Sequence, residues 1–240
     1  MKRSILLTAL SLFFMAVNSN AQTKISGNGN VTTETRTTGD YDGIKIAGFF
    51  DVALVAGKEG KIILKGEENL LSKIKVEVEG NELKVYVEKG IQLRTSMGKK
   101  IEVTVPFEKI ASVTLSGSGD VKSKNKINSD SFSAKLSGSG NFDLDIDSRN
   151  FDLALSGSGD IVLKGKADSF TSKISGSGNV NASNLKSQTV DVTVSGSGNS
   201  VVTCETSITG RVSGSGNIKY LGNPEKRDVK VSGSGKIYKG

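Results

Sequence analysis

No histidine and no tryptophan occur in this 240-residue chain, aromatic residues make up 5% of it, and cysteine occurs once. Each scarcity removes a class of function. Without histidine no Ser-His or Cys-His pair can activate a nucleophile. With Cys204 as the sole thiol, no intramolecular disulfide can form, so the fold must hold by burial and hydrogen bonds. With so few aromatic rings, and with the four tyrosines not clustered among bases, nucleic-acid binding by stacked rings is not expected. Charge of one sign is not segregated either. The formal charge is +7, or +5 without Lys2 and Arg3, but acids and bases are interspersed, which reads as solubility.

One long apolar stretch exists, and it lies at the start. Lys2 and Arg3 precede "SILLTALSLFFMAV", and "SNA" supplies small residues before Gln22. This is the layout of a secretory signal peptide, residues 1–21, cleaved after Ala21. An uncleaved anchor is the weaker reading, because the stretch is short for a span of about 20 residues. The cysteine that a bacterial lipoprotein needs at its cleavage site is missing. The expected location is the periplasm, the cell surface or the medium, with no transmembrane segment after cleavage.

What the chain has in abundance is glycine, 29 residues, of which 14 sit in seven copies of SGSG. The copies begin at Ser116, Ser137, Ser156, Ser175, Ser195, Ser213 and Ser232, at intervals of 21, 19, 19, 20, 18 and 19 residues. A regular period of this size signals stacked repeats. The flanking columns decide between repeats and flexible linkers. Leu115, Leu136, Leu155, Ile174, Val194, Val212 and Val231 precede the runs. Val121, Phe142, Ile161, Val180, Ser200, Ile218 and Ile237 follow, six of the seven apolar. Between them stands a column of Asp120, Asn141, Asp160, Asn179, Asn199, Asn217 and Lys236. A disordered linker has no reason to keep aliphatic columns on both sides.

Within each unit, hydrophobicity alternates with period two, as in "FDLAL" and "DIVLKG", which predicts two short strands per unit. Hairpins or a parallel β-helix would both satisfy this, and the charges discriminate. Aligned on SGSG, Lys122, Lys124 and Lys126 fall level with Asp143, Asp145 and Asp147, and Lys164 and Lys166 follow in the next unit. In-register parallel coils would place Lys124, Asp145 and Lys164 in one outward column about 4.8 Å apart. Such pairs contribute roughly 0.2–1 kcal/mol, little in energy but decisive for register. The prediction is a β-helix with one coil per repeat. SGSG is then its corner: glycine reaches positive φ without a Cβ penalty, and serine is small enough to stack on its own copies.

Earlier segments read as degenerate coils. "KIAGFFDVAL" (45–54) aligns with "KLSGSGNFDL" (135–144), and "KISGNGNV" (24–31) resembles the corner motif. Residues 22–39 are assigned to an N-terminal segment or first coil, irregular coils run to about 110 with a helical turn at 67–74, and regular coils fill 111–240. Dividing the remaining 219 residues by the repeat length gives roughly 11 coils, on the order of 50 Å of stack. Arg227, Lys236 and Lys239 would protect the last edge.

Candidate chemistry is sparse. Phosphate-cradling glycine loops need a helix after the glycines, and a strand pattern follows here. Asp143, Asp145 and Asp147 could ligate a cation, but lysines above and below oppose it, and they read as a solvated strand face. Cys204 reads as a small core or corner residue. Asn30 and Asn181 head formal glycosylation sequons. No catalytic, cofactor-binding or metal-ligating residue is assigned, and no cofactor is expected.

The segments "IAGFFDVALVAG", "ENLLSKIKVEVEGNELKVYV" and "SVTLSGSGDV", followed by further SGSG units, resemble the head GIN domain of putative auto-transporter adhesins. This is a domain of unknown function common in secreted proteins of Bacteroidetes. The resemblance spans residues 40–235 within the domain taken as 40–240. It implies an all-β, single-stranded right-handed parallel β-helix and carries over no site residues. The function expected is a non-enzymatic adhesin or surface structural protein that meets surface glycan, matrix or envelope protein, and no nucleic acid. The alternatives are a carbohydrate-active β-helix enzyme and a periplasmic partner-binding scaffold.

Overall fold

The computed structural model describes residues 22–240, so the leader read over 1–21 lies outside the described residues. The chain winds into a β-solenoid of about seven stacked parallel turns, each about 19 residues long. In the regular half one strand makes nearly a whole turn: Asn141–Gly157, Asp160–Gly176, Asn179–Gly196 and Asn199–Gly214. The two short strands expected per unit are therefore one long strand. Its backbone stays hydrogen-bonded to the neighbouring turns through the far corner and breaks only at the second Ser-Gly of each SGSG.

Closure requires the in–out alternation to slip once. In Asn141–Gly157 the side chains of Phe142, Leu144, Ile146 and Ser148 are buried, Arg149 and Asn150 are both exposed, and Phe151, Leu153 and Leu155 are buried again. That two-residue slip is the far corner. Opposite it, the SGSG corner is set by contact. The first glycine of every run has positive φ, for example 124° at Gly138 and 130° at Gly157. A Cβ on Gly157 would lie 2.1 Å from the Gly138 carbonyl oxygen, and one on Gly159 would lie 2.0 Å from that of Gly140. Only glycine lets consecutive corners come this close.

Identical positions therefore become neighbours. Leu115, Leu136, Leu155, Ile174, Val194 and Val212 stand in one interior row. Phe132, Phe151 and Phe170 stand in another, with ring centroids 5.8 and 5.2 Å apart. Each such side chain, withdrawn from water, contributes about 1.5–3 kcal/mol of transfer free energy.

The first regular unit departs from this. Lys122 pairs with Asp143 but Ile127 pairs with Ile146, so five steps on one edge face three on the other. The two surplus residues of the 21-residue interval form a bend at Lys124–Asn125. Lys124 is consequently not in register with Asp145, and the column expected from Lys124 through Asp145 to Lys164 holds only for Asp145 and Lys164.

The N-terminal half contains one true coil in the predicted alignment: Gly48 lies beside Gly117 and Asp51 beside Asp120. Residues 57–111 do not continue the stack in chain order. Glu82–Val87 and Glu102–Phe107 lie on the opposite edge of the 43–56 coil, so the chain builds an end layer before returning to wind the rest. That layer is finished with antiparallel pairs, Val31–Thr37 against Lys61–Glu67 and Ile74–Glu79 against Glu82–Val87. The second pair turns at Gly80 and Asn81, φ 55° and 63°, the pattern of a tight hairpin. In place of a first coil, the 22–39 segment supplies Val31–Thr37 and a strand Thr23–Ser26, which pairs with Ile91–Arg94 in a separate small sheet. This is why roughly 11 coils become about seven. The expected helical turn is present at Glu68–Leu71. At the other end, Arg227 continues the interior row of Ile208, and Val229 and Val231 remain 46% and 40% exposed.

Gly157→Ala is expected to lower unfolding free energy by at least about 2 kcal/mol, because it adds both strain and overlap. Ser156→Ala, one residue away and exposed, should stay within about 0.5 kcal/mol. Urea titration compares them, and equal losses would show that the corner is not close-packed.

Candidate interaction surface

The interior is filled, so the chemistry available to a ligand is on the outer rows. The strand leading into each SGSG corner presents three of them. The middle row runs Lys45, Thr114, Lys135, Ala154, Lys173, Thr193, Arg211, Lys230. From Lys45 to Arg211 a base alternates with a small residue. On one side is the row of corner serines, including Ser137, Ser156 and Ser175, all exposed. On the other side is a row in which Asp152, Asp191 and Asp228 alternate with Ser133, Thr171 and Thr209. Arg211 is paired with Asp228. Lys45, Lys135, Lys173 and Lys230 are exposed and have no ion-pair partner among the described residues. Between Lys135 and Lys173, over Ala154, lies an open groove of about 400 Å³ edged by Ser137, Ser156 and Ser175.

Beyond the corner, the Asn/Asp column forms a hydrogen-bonded ladder. The Asn141 amide donates to Asp120 at 2.7 Å, and the Asp160 backbone N–H donates to Asn141 at 3.0 Å. The Asn179 amide donates to Asp160 at 2.9 Å, the Asn199 amide to Asn179 at 3.0 Å, and the Asn217 amide to Asn199 at 2.9 Å. The ladder fixes the register of the exposed edge.

The aspartates singled out as possible ligands are ion-paired: Asp143 with Lys122, Asp145 with Lys164 at 3.8 Å, and Asp147 with Lys126 at 3.9 Å. At the far corner an open groove of about 700 Å³ is lined by Asp42, Asp130, Asp147, Asp168, Lys109 and Arg149, with Arg149 bridged to Asp130 at 3.2 Å. Among the described residues no three acids or thiols are placed to hold a metal ion. Asn30 and Asn181 are both exposed.

Cys204 is fully buried beside Ser187, in a row of small residues that includes Ser148 and Ala167. Its thiol donates to the Ser207 carbonyl at 2.9 Å, and burial pushes its pKa up. The small-core reading accounts for it.

Glu67 is a structural residue that pattern reading missed. Its buried carboxylate accepts the Ser96 hydroxyl at 2.5 Å, the Ser96 N–H at 2.9 Å and the Gly29 N–H at 2.7 Å. It ties the 27–29 loop to the 95–96 loop. Those bonds, the Ser96 hydroxyl first, hold its pKa below the ordinary glutamate value. Gly27 is a requirement of the same contact, since a Cβ there would meet the carboxylate at 2.1 Å. The basic row was also missed. Its signal lies two residues ahead of each SGSG, where Thr, Lys, Ala, Lys, Thr, Arg and Lys follow one another.

A family model described as "putative auto-transporter adhesin, head GIN domain" matches residues 40–224. Among solved structures, a putative adhesin from Bacteroides fragilis NCTC 9343 is 22% identical with a TM-score of 0.82, covering 90% of this chain and 99% of that one. A putative lipid binding protein from Parabacteroides distasonis ATCC 8503 is 23% identical with a TM-score of 0.75, covering 91% and 100%. A putative adhesin from the same Parabacteroides strain is 21% identical with a TM-score of 0.71, covering 91% and 100%. These likenesses establish the shared fold. No curated protein matches the chain.

Two measurements check the buried groups. Because the Glu67 pKa is depressed on folding, its contribution is complete above the ordinary value of 4.5 and is lost as pH falls through the folded value. Glu67→Gln should lower the urea midpoint at neutral pH and flatten its decline below about pH 4.5. An unchanged acid slope would show that the carboxylate is not the group responsible. Cys204 should resist a thiol-reactive dye in the folded chain and react fully on unfolding, and Cys204→Ser should cost about 1–3 kcal/mol, less if the shorter hydroxyl still reaches the Ser207 carbonyl.

Proposed function

This chain belongs to the family described as "putative auto-transporter adhesin, head GIN domain", and from that membership we propose an exported, non-catalytic adhesin-type solenoid that works through its outer rows. The observation that carries the reading is the division of labour in each turn: aliphatic and aromatic side chains fill the inside, and mainly polar side chains repeat on the outside, where Ala154 and Val162 are exceptions. Such a stack offers a long, rigid surface with the same groups presented at each level.

Support for a non-catalytic role comes from the acids themselves. Asp143, Asp145 and Asp147 are each matched to a lysine, so these three carboxylates are not left free to act as the acid or base of a glycosidase. Support for export comes from the family and from the leader-like residues 1–21. Among the described residues no helix is long and apolar enough to cross a membrane. The lipid-binding description of one structural neighbour belongs to that protein. Here the space inside the turns is occupied by side chains such as Leu136, Phe151 and Leu155.

A glycan array combined with matrix-protein pull-down on residues 22–240 tests the proposal. Saturable binding with no release of shortened product is expected. Turnover of any polysaccharide would replace the reading with the carbohydrate-active enzyme, and capture of one specific envelope protein without glycan or matrix binding would replace it with a scaffold.

A further inference from the structure

We propose that the face before the SGSG corner binds a linear acidic polysaccharide running along the stack, with its carboxylates or sulfates on Lys45, Lys135 and Lys173. The inference rests on the adhesin-type reading and names the ligand class of that surface.

Three features of the face converge. The first is spacing. Lys45, Lys135 and Lys173 occur on every second turn, with Thr114 and Ala154 between them. Adjacent turns are about 4.8 Å apart, so successive cations are separated by about 9.6 Å. That is close to the length of one disaccharide, the repeat on which many acidic glycans place one charge. The second is availability. These three ammonium groups are exposed and have no ion-pair partner among the described residues, unlike Lys122, Lys126 and Lys164 on the face beyond the corner. The third is what flanks them. Ser137, Ser156 and Ser175 offer hydroxyls on one side, and Asp152 and Asp191 offer acceptors on the other. Sugar hydroxyls can bond to both, and the small Ala154 leaves an open groove between the cations for a ring to enter.

The same flanks argue against other polyanions. A nucleic-acid strand carries a phosphate at every unit and few groups to donate to Asp152 or Asp191, and the face has no aromatic ring on which to stack a base.

Titration calorimetry on the 22–240 chain uses hyaluronan, which carries one carboxylate per disaccharide, with neutral dextran, duplex DNA and phosphatidylglycerol vesicles in parallel. Hyaluronan is expected to bind, more weakly as salt rises. The double variant Lys135→Glu/Lys173→Glu should weaken it at least about tenfold, the loss that removing about 1.4 kcal/mol of interaction produces. Lys135→Gln/Lys173→Gln repeats the test without adding acid beside Asp152, and Lys166→Glu on another face should change nothing. Each variant is checked for an unchanged melting curve. Absence of hyaluronan binding, binding untouched by the two double variants, or equal binding of DNA or vesicles would overturn the inference. Saturable binding of a neutral glycan or a matrix protein that survives both double variants would overturn it while leaving the adhesin reading intact. Cleavage of hyaluronan would remove that reading.

Discussion

The close approach of backbone to backbone at the SGSG corner is the constraint from which the rest of the molecule follows. With a Gly–Gly separation that leaves no room for a Cβ, each turn can sit only directly over its neighbour. Direct superposition gives the parallel register of the whole C-terminal half, and that register converts a sequence repeat into rows. Interior rows become a continuous apolar core, and exterior rows become ladders. The Asn/Asp ladder and the Lys–Asp pairs are individually weak, in the range of about 1 kcal/mol or less for exposed groups. They add register more than stability, because each is satisfied at one alignment only.

The same principle separates the two ends of the chain. A parallel stack of identical turns has no intrinsic stop, since every turn exposes an edge like the one it covers. Residues 57–111 supply a stop at one end by changing from parallel to antiparallel pairing, and Glu67 anchors the loops that hold that layer. A buried carboxylate is tolerable there because three donors replace its water.

The regular half was legible because the repeat does the averaging. One apolar residue before SGSG means little, whereas seven in a column identify an inward position, and Leu136 beside Leu155 follows from it. The end layer was not legible for the converse reason. "KVEVEGNELKVYV" shows the same alternation whether it stacks as coils or folds into a hairpin, and only the Gly80–Asn81 turn separates the two. Glu67 gave no signal, since its partners Gly29 and Ser96 are remote in sequence and two of its three bonds come from the backbone. The basic row was hidden by its own alternation: a column of Lys, Ala, Lys and Thr looks variable until the turns are superposed and the even and odd levels separate. Lys124 was misplaced because alignment on SGSG assumes equal turns.

Unequal turns carry a further consequence. The intervals range from 18 to 21 residues, yet pairing is unshifted on the strand entering each SGSG corner. Every irregularity falls elsewhere: between Lys122 and Ile127, between Val162 and Lys164, in the stretch from Ala182 to Thr189, and between Thr203 and Ser207, where four steps face the five from Leu221 to Lys226. The solenoid thus has an inextensible spine along its glycines and a slack seam on the opposite flank, where surplus length is taken up locally and forgotten by the next corner. Turns of unequal length can therefore share one straight rod, because each corner restores the alignment that the seam has lost.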